Sequence, residues 1–297
     1  MLSNPHLRGS LYAFLGILTL SFDALLVRLT QAPSMTILFW RGLFIGISLT
    51  VFVLIQDRRS PLAIIRTQPR LYLTAGLLFA LSGCGFVLSV QNTNVANTTV
   101  ILSTAPFFSA LFSFLLNRER VRPHTLIAMG VMVLGTGIIV AASIGTGRLF
   151  GDFMALYTAV LVGLGQAYLR RHQSLRRITI ILINGYYIAL FTLAFADLQP
   201  SAISLAVLAL MGLLQMPLAL VLFTTSTRYI SAAEASMFMI VETVLGPFWV
   251  LIFLGEPVPL NTIYGGVLII GALAVNTWLS SSGAKHRQMS PPPPAPP

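Results

Sequence analysis

Ser231-Ala-Ala-Glu-Ala-Ser-Met-Phe-Met-Ile-Val-Glu242-Thr243, continuing as Val244-Leu-Gly-Pro-Phe-Trp-Val-Leu-Ile-Phe-Leu-Gly-Glu256, reads as an apolar helix with one acidic residue inside it and another just past its end. An earlier stretch has the same layout. Val95-Ala-Asn-Thr-Thr runs through Ala105-Pro106 into Leu115-Leu-Asn-Arg-Glu119. A shift of 137 residues places Ala96 on Ala233, Glu119 on Glu256, Val121 on Val258 and Thr125 on Thr262. The shared order is small residues, apolar helix, glutamate, second apolar helix, and it predicts a chain built from two similar halves.

Composition sets the solvent. With 56% hydrophobic and 9% charged residues, a soluble domain of 297 residues would lack the polar side chains to cover its surface, so lipid must surround much of this chain. The single cysteine, Cys84, lies in an apolar run and has no partner for an intramolecular disulfide. Stretches of about 20 apolar residues match the hydrocarbon thickness of a bilayer. Ten are predicted, at 10–30, 35–55, 71–90, 95–117, 124–143, 151–170, 178–197, 203–224, 234–254 and 261–280. Short connections with turn residues join them, as in Gln31-Ala-Pro-Ser34 and Gly255-Glu-Pro257. The division is a cytoplasmic N-terminus (1–9), a first five-helix repeat (10–143), a second (151–280) and a disordered, Pro-rich cytoplasmic tail (281–297). Arg8 precedes the first apolar run as in a secretory signal, but that run is longer than a signal core and holds Asp23 and Arg28, which predicts a retained span.

The net charge of +10 has a simple explanation in where the cations fall. Of the 18 Lys and Arg residues, 15 lie at the termini or in the even-numbered loops, and only Arg148 lies in an odd-numbered loop; Arg28 and Arg41 lie within spans. This positive-inside bias puts both termini in the cytoplasm and argues against a nucleic-acid partner. Five spans per half then give the two halves opposite orientations in the membrane. Inverted repeats of this kind are a common way to build a carrier.

Ionisable groups inside spans are costly and need a reason. At about 1.5 Å per residue, Asp23 and Arg41 lie at comparable depth on neighbouring helices. They either lock the first hairpin as an ion pair or face a cavity and meet the charged end of a zwitterion. Glu242 lies near mid-membrane with no basic residue at its depth, so it is either protonated in an apolar site or faces water and binds an ammonium group. Glu119 and Glu256, at span ends, read as caps or loop anchors. Ser82, Ser103 and Gln215 share the depth of Glu242; each either bonds back to its own helix or converges on one central site with it. Phe79, Phe86, Tyr157 and Trp249 are candidate walls of that site. Small residues at Gly42 and Gly46, Gly83-Cys-Gly85, Gly163 and Gly165, and Gly265-Gly266 permit close helix contacts.

Enzyme chemistry finds no support in the motifs. There is no Walker loop, no His-Glu-x-x-His and no Cys or His cluster, and His6, His124, His172 and His286 lie at loops or termini, so no metal or cofactor is expected. A secondary carrier, proton-coupled or facilitated, fits best; a membrane enzyme or assembly factor and a channel are the alternatives.

Pro33 with Arg41, Ala105-Pro106 followed by Glu119, Ser231-Ala-Ala-Glu-Ala235, Val241-Glu242, Gly255-Glu256 and Gly265-Gly-Val-Leu-Ile-Ile-Gly271, in this order and spacing, resemble the drug/metabolite transporter superfamily. The resemblance is to its ten-helix EamA-type exporters and covers about residues 9 to 280. It implies an all-α integral membrane protein that exports small metabolites, amino acids among them, across the bacterial inner membrane, and one branch of the family exports aromatic amino acids. It also implies that the span carrying Glu242 lines the substrate. Leu20-Ser21 stands where the family often has Trp-Gly, and Glu242-Thr243 with Pro247 stands where it often has Glu-Pro, which shifts the expected helix distortion by about a turn.

Overall fold

The computed structural model describes residues 5–57, 60–118, 123–226, 229–230 and 238–288. Every regular element among them is a helix. Eight helical stretches are long and apolar enough to cross a membrane: Pro5–Leu29, Ser34–Gln56, Pro69–Asn92, Val95–Leu116, Pro123–Ala142, Leu149–Arg171, Arg177–Phe195 and Ala202–Phe223. Two shorter apolar helices, Val241–Leu254 and Leu260–Asn276, follow. These are the first to tenth segments below. They fall on the ten stretches read from the sequence, although the start of the ninth (234–237) lies outside the described residues, as do Glu119 and residues 289–297 of the Pro-rich tail. The tenth helix continues to Gln288, past the end of its apolar stretch, because no proline interrupts it before Pro291.

The outer faces remain apolar. Ile127, Leu134, Leu190, Phe195, Ile203 and Val267 are all exposed, as a lipid-facing surface requires. Lipid tails remove the hydrophobic incentive for helix association, so close van der Waals packing has to hold the bundle. Glycine supplies it in two places. A Cβ on Gly42 would fall 2.7 Å from the Gly185 carbonyl oxygen and the reverse distance is 2.7 Å, so the second and seventh segments touch backbone to backbone. Gly135 and Gly265 do the same for the fifth and tenth segments, at 2.8 and 2.6 Å.

The main pairings form a pattern. Segments pack second on seventh, third on sixth, first on eighth, fifth on tenth, fourth on sixth, first on ninth, third on seventh, second on eighth and fourth on ninth. Exchanging each segment for the one five places along returns the same set.

Among the described residues, three segments depart from regular α-helix within their length. The first is broken at Phe22, between helices Pro5–Ser21 and Asp23–Leu29. The fourth is broken at Ser103 and Thr104, between Val95–Leu102 and Ala105–Asn117; Pro106 fits the first turn of the second piece, where its missing N–H costs nothing. The eighth contains a π-helical stretch, Leu210–Gln215. The expected distortion of the ninth at Pro247 is smaller, since Met239–Leu254 stays one helix around it.

Candidate functional site

Two irregular segments, the first and the eighth, meet the second helix around one buried ion pair. Arg41 Nη2 donates to Asp23 Oδ2 at 2.7 Å, and the two residues are only 8% and 5% exposed. Asp23 opens the short helix that follows the break at Phe22, so the break sets where its carboxylate points. The segments that carry the pair also share one apolar cluster, with Val27, Leu38, Val87, Leu208 and Met211 in it. In that apolar setting an unpaired charge would be costly, so each partner makes the other tolerable.

The eighth segment completes the cluster. Gly212 lets its backbone approach the second segment, where a Cβ would lie 3.1 Å from the Arg41 carbonyl oxygen, and Ser48 Oγ donates to the Gly212 carbonyl at 2.9 Å within the π stretch. Such a stretch frees backbone groups that neighbouring side chains must satisfy. Gln215 ends it and is placed beside the Asp23 carboxylate, with Nε2 donating to the Thr19 carbonyl at 3.1 Å. Two acceptors are left over. Among the described residues, Asp23 Oδ1 and Gln215 Oε1 are buried without a hydrogen-bond partner. Buried polar atoms are normally paired, and an unpaired one costs about 1–3 kcal/mol.

Glu242 enters from the ninth segment, close enough to Asp23 for the two carboxyls to interact electrostatically. The ninth segment is seated on the break itself. Trp249 stacks on Phe22 with ring centroids 4.6 Å apart, and its Nε1 donates to Ser21 Oγ at 3.0 Å. Phe86 supplies a wall from the third segment, its ring centroid 5.9 Å from the Arg41 guanidinium carbon.

Of the candidates read from the sequence, Asp23, Arg41, Gln215, Glu242 and Phe86 come together here. The others lie apart from the pair. Ser82 Oγ donates to the Phe79 carbonyl at 2.8 Å, and Ser103 Oγ to the Val100 carbonyl at 2.6 Å, so both hydroxyls bond back to their own helices. Tyr157 packs its ring on Gly85, and Phe79 packs on Gly165, both between the third and sixth segments. Trp249, a candidate wall, takes a second role with Ser21 and Phe22 at a break that the sequence does not mark. Among the described residues no group of three His, Cys, Asp or Glu side chains comes together to hold a metal.

A second polar cluster lies at the ends joined by odd-numbered connections. Asp152 is fully buried and accepts from Thr93 Oγ1 at 2.6 Å and from Asn97 Nδ2 at 3.1 Å. Asn97 Oδ1 in turn accepts from Thr262 Oγ1. Nearby, Glu256 anchors the ninth-to-tenth loop as its position at a span end implied. It accepts from the Val95 backbone N–H at 2.9 Å and pairs with Arg28 at 3.3 Å. Sequence reasoning missed Asp152, Thr93 and Asn97; the alignment of Thr262 with Thr125 was the only hint of them.

The comparisons with known proteins agree with this architecture. The sequence model of the EamA-like transporter family matches residues 7–141 and 149–278. An uncharacterized transporter of Bacillus subtilis (strain 168), YoaV, is 26% identical over 253 residues, covering 80% of this chain and 86% of that protein. A solved structure described only as the crystal structure of a protein superposes with a TM-score of 0.64 at 18% identity, covering 96% of this chain and 99% of that one; at that identity it speaks for the fold alone. The matched segments take in nearly all of both halves, and the chain belongs to the EamA-like transporter family, as a multi-pass membrane protein.

Proposed function

We propose that this chain is a secondary transporter of the inner membrane that exports small metabolites, amino acids with aromatic or other apolar side chains foremost, by alternating access. The single observation that carries the reading is the pair of unpartnered acceptors, Asp23 Oδ1 and Gln215 Oε1, buried on irregular segments beside Arg41 and Glu242. Irregular backbone at membrane depth is tolerated where it is enclosed in protein or lines a cavity, and transporters place their substrate sites there. Acceptors that lack donors call for a ligand bearing N–H groups. A substrate ammonium would fit between Asp23 and Glu242, with Phe86 and Trp249 offering apolar surface to its side chain.

Two observations support an inverted-repeat mechanism. The main segment pairings survive exchange of the halves, and the family model matches once in each half. With the charge bias of the loops, this favours ten spans, both termini in the cytoplasm and two mirror-related states of one set of parts. A reporter fused after Arg287 should then be cytoplasmic and one inserted at Gly147 periplasmic; both on one side would sink the topology. The transport reading is tested with purified protein in liposomes. A thermal-shift screen of amino acids nominates a stabilising ligand, which should then show saturable counterflow. Linear, unsaturable flux would point to a channel, and the lack of any flux for every stabilising ligand would sink the carrier.

A further inference from the structure

Five residues beyond Asp23, on the same short helix, Arg28 reaches into a separate cavity. Its volume is about 570 Å³, and Arg28, Gln91, Asn94, Arg148, Glu256 and Pro257 are among the residues that line it. It opens at the ends of segments joined by odd-numbered connections, the face that the charge bias puts outside. The chemistry of its lining is cationic. Glu256 is the one carboxylate there, and it is already engaged by the Val95 N–H and by Arg28.

Arg28 is held in a fixed orientation. Nη2 donates to the Thr93 carbonyl at 2.7 Å and lies 3.3 Å from Glu256 Oε2, while the buried Nε has no partner. A guanidinium so anchored keeps unused N–H donors in a planar fork, the geometry that takes a carboxylate. Arg148, at the start of the sixth segment, faces the same cavity and has no ion pair among the described residues. We propose that this vestibule is an anion site, separate from the central cluster, which receives the carboxylate of a soluble organic acid or zwitterion through Arg28 and Arg148. An incoming carboxylate competes with Glu256 for Arg28. Because Glu256 also holds the N-terminus of the fourth segment, occupancy loosens the tie among the first, fourth and ninth segments on this face. Its role as a station on the export route rests on the transport reading; the binding itself does not.

The test uses the full chain in nanodiscs of zwitterionic lipid, labelled with the arginine reagent phenylglyoxal and read by peptide mass spectrometry. Benzoate at about four times its Kd should slow labelling of Arg148 about fivefold, as mass-action protection requires, while benzylamine leaves it unchanged. Arg66 and Arg70, exposed near the opposite face, should label at the same rate throughout. In Arg28→Gln the protection should disappear. Should that variant fail to fold, Arg148→Gln serves instead, since the exposed Arg148 side chain makes no hydrogen bond or ion pair among the described residues; it should abolish the ¹⁹F line broadening that the wild-type protein imposes on 4-fluorobenzoate. Unchanged Arg148 labelling, equal slowing at Arg66 and Arg70, or protection that arises from anionic phospholipid in the disc without benzoate would each overturn the proposal. Counterflow without protection would remove the vestibule and keep the carrier, and protection without counterflow would do the reverse.

Discussion

Two buried aspartates divide the molecule. Asp152 is wholly enclosed and surrounded by donors, with Thr93 and Asn97 on its carboxylate and Thr262 and Ser143 behind Asn97. Asp23 is as deeply enclosed but has one strong partner, Arg41, and a second oxygen with none. The first is a finished network that ties the fourth, fifth, sixth and tenth segments together where odd-numbered loops join them. The second is unfinished, on backbone that is itself irregular. A satisfied polar network rigidifies, whereas an unsatisfied one holds free energy that a ligand can release. On the proposed function, one carboxylate then serves structure and the other binding.

The largest expected effect breaks the Asp23 pair. Arg41→Gln or Asp23→Asn alone leaves a buried charge without its counter-charge, at about 3–5 kcal/mol, and should sharply lower the yield of folded protein. The double variant should recover that yield and still fail to transport. If instead each single variant folds normally and only transport is lost, the pair has no structural share and binds substrate alone. Asp152→Asn should come next, at about 1–3 kcal/mol, because an amide group now faces the donors of Thr93 and Asn97. It should lower the thermal midpoint while leaving the apparent affinity for substrate in place; a changed affinity at normal stability would erase the distinction between the two aspartates. Ser82→Ala and Ser103→Ala should be the mildest. Both hydroxyls already donate to carbonyls of their own helices, so stability should move by about 0.5 kcal/mol or less and transport by less than about twofold. A severe transport loss in either would bring that serine into the central site.

The contrast also explains what could be read in advance. The spans were legible because a bilayer imposes one length and one composition on every crossing. Asp23, Arg41 and Glu242 were legible because ionisable groups in apolar runs stand out. The break in the fourth segment had a local signal in Ala105-Pro106, since proline has no N–H to carry the helical ladder past it and suits the first turn of a new helix. The break at Phe22 had none: Ser21 and Phe22 are ordinary helical residues, and the stacking of Trp249 from 227 residues further along the chain is part of what fixes it. The π stretch at Leu210–Gln215 is equally silent, because its freed carbonyl is answered by Ser48 on another segment. Asp152 lies next to a loop, where a carboxylate looks unremarkable until tertiary packing encloses it. Features set by composition could be read, and those set by which helices meet could not.

The central claim is that Glu242 and the unfinished Asp23 cluster form the substrate site. Counterflow of a stabilising amino acid into liposomes holding wild-type protein or Glu242→Gln tests it most directly, measured across pH and alongside the thermal midpoint. The substitution keeps the shape and removes the charge. The account predicts a rate at least about tenfold lower, equivalent to about 1.4 kcal/mol of lost transition-state stabilisation, with the midpoint unchanged. A flattened pH profile would add that Glu242 carries a coupling proton. Wild-type counterflow by Glu242→Gln at every pH would contradict the claim and make Glu242 a packing residue.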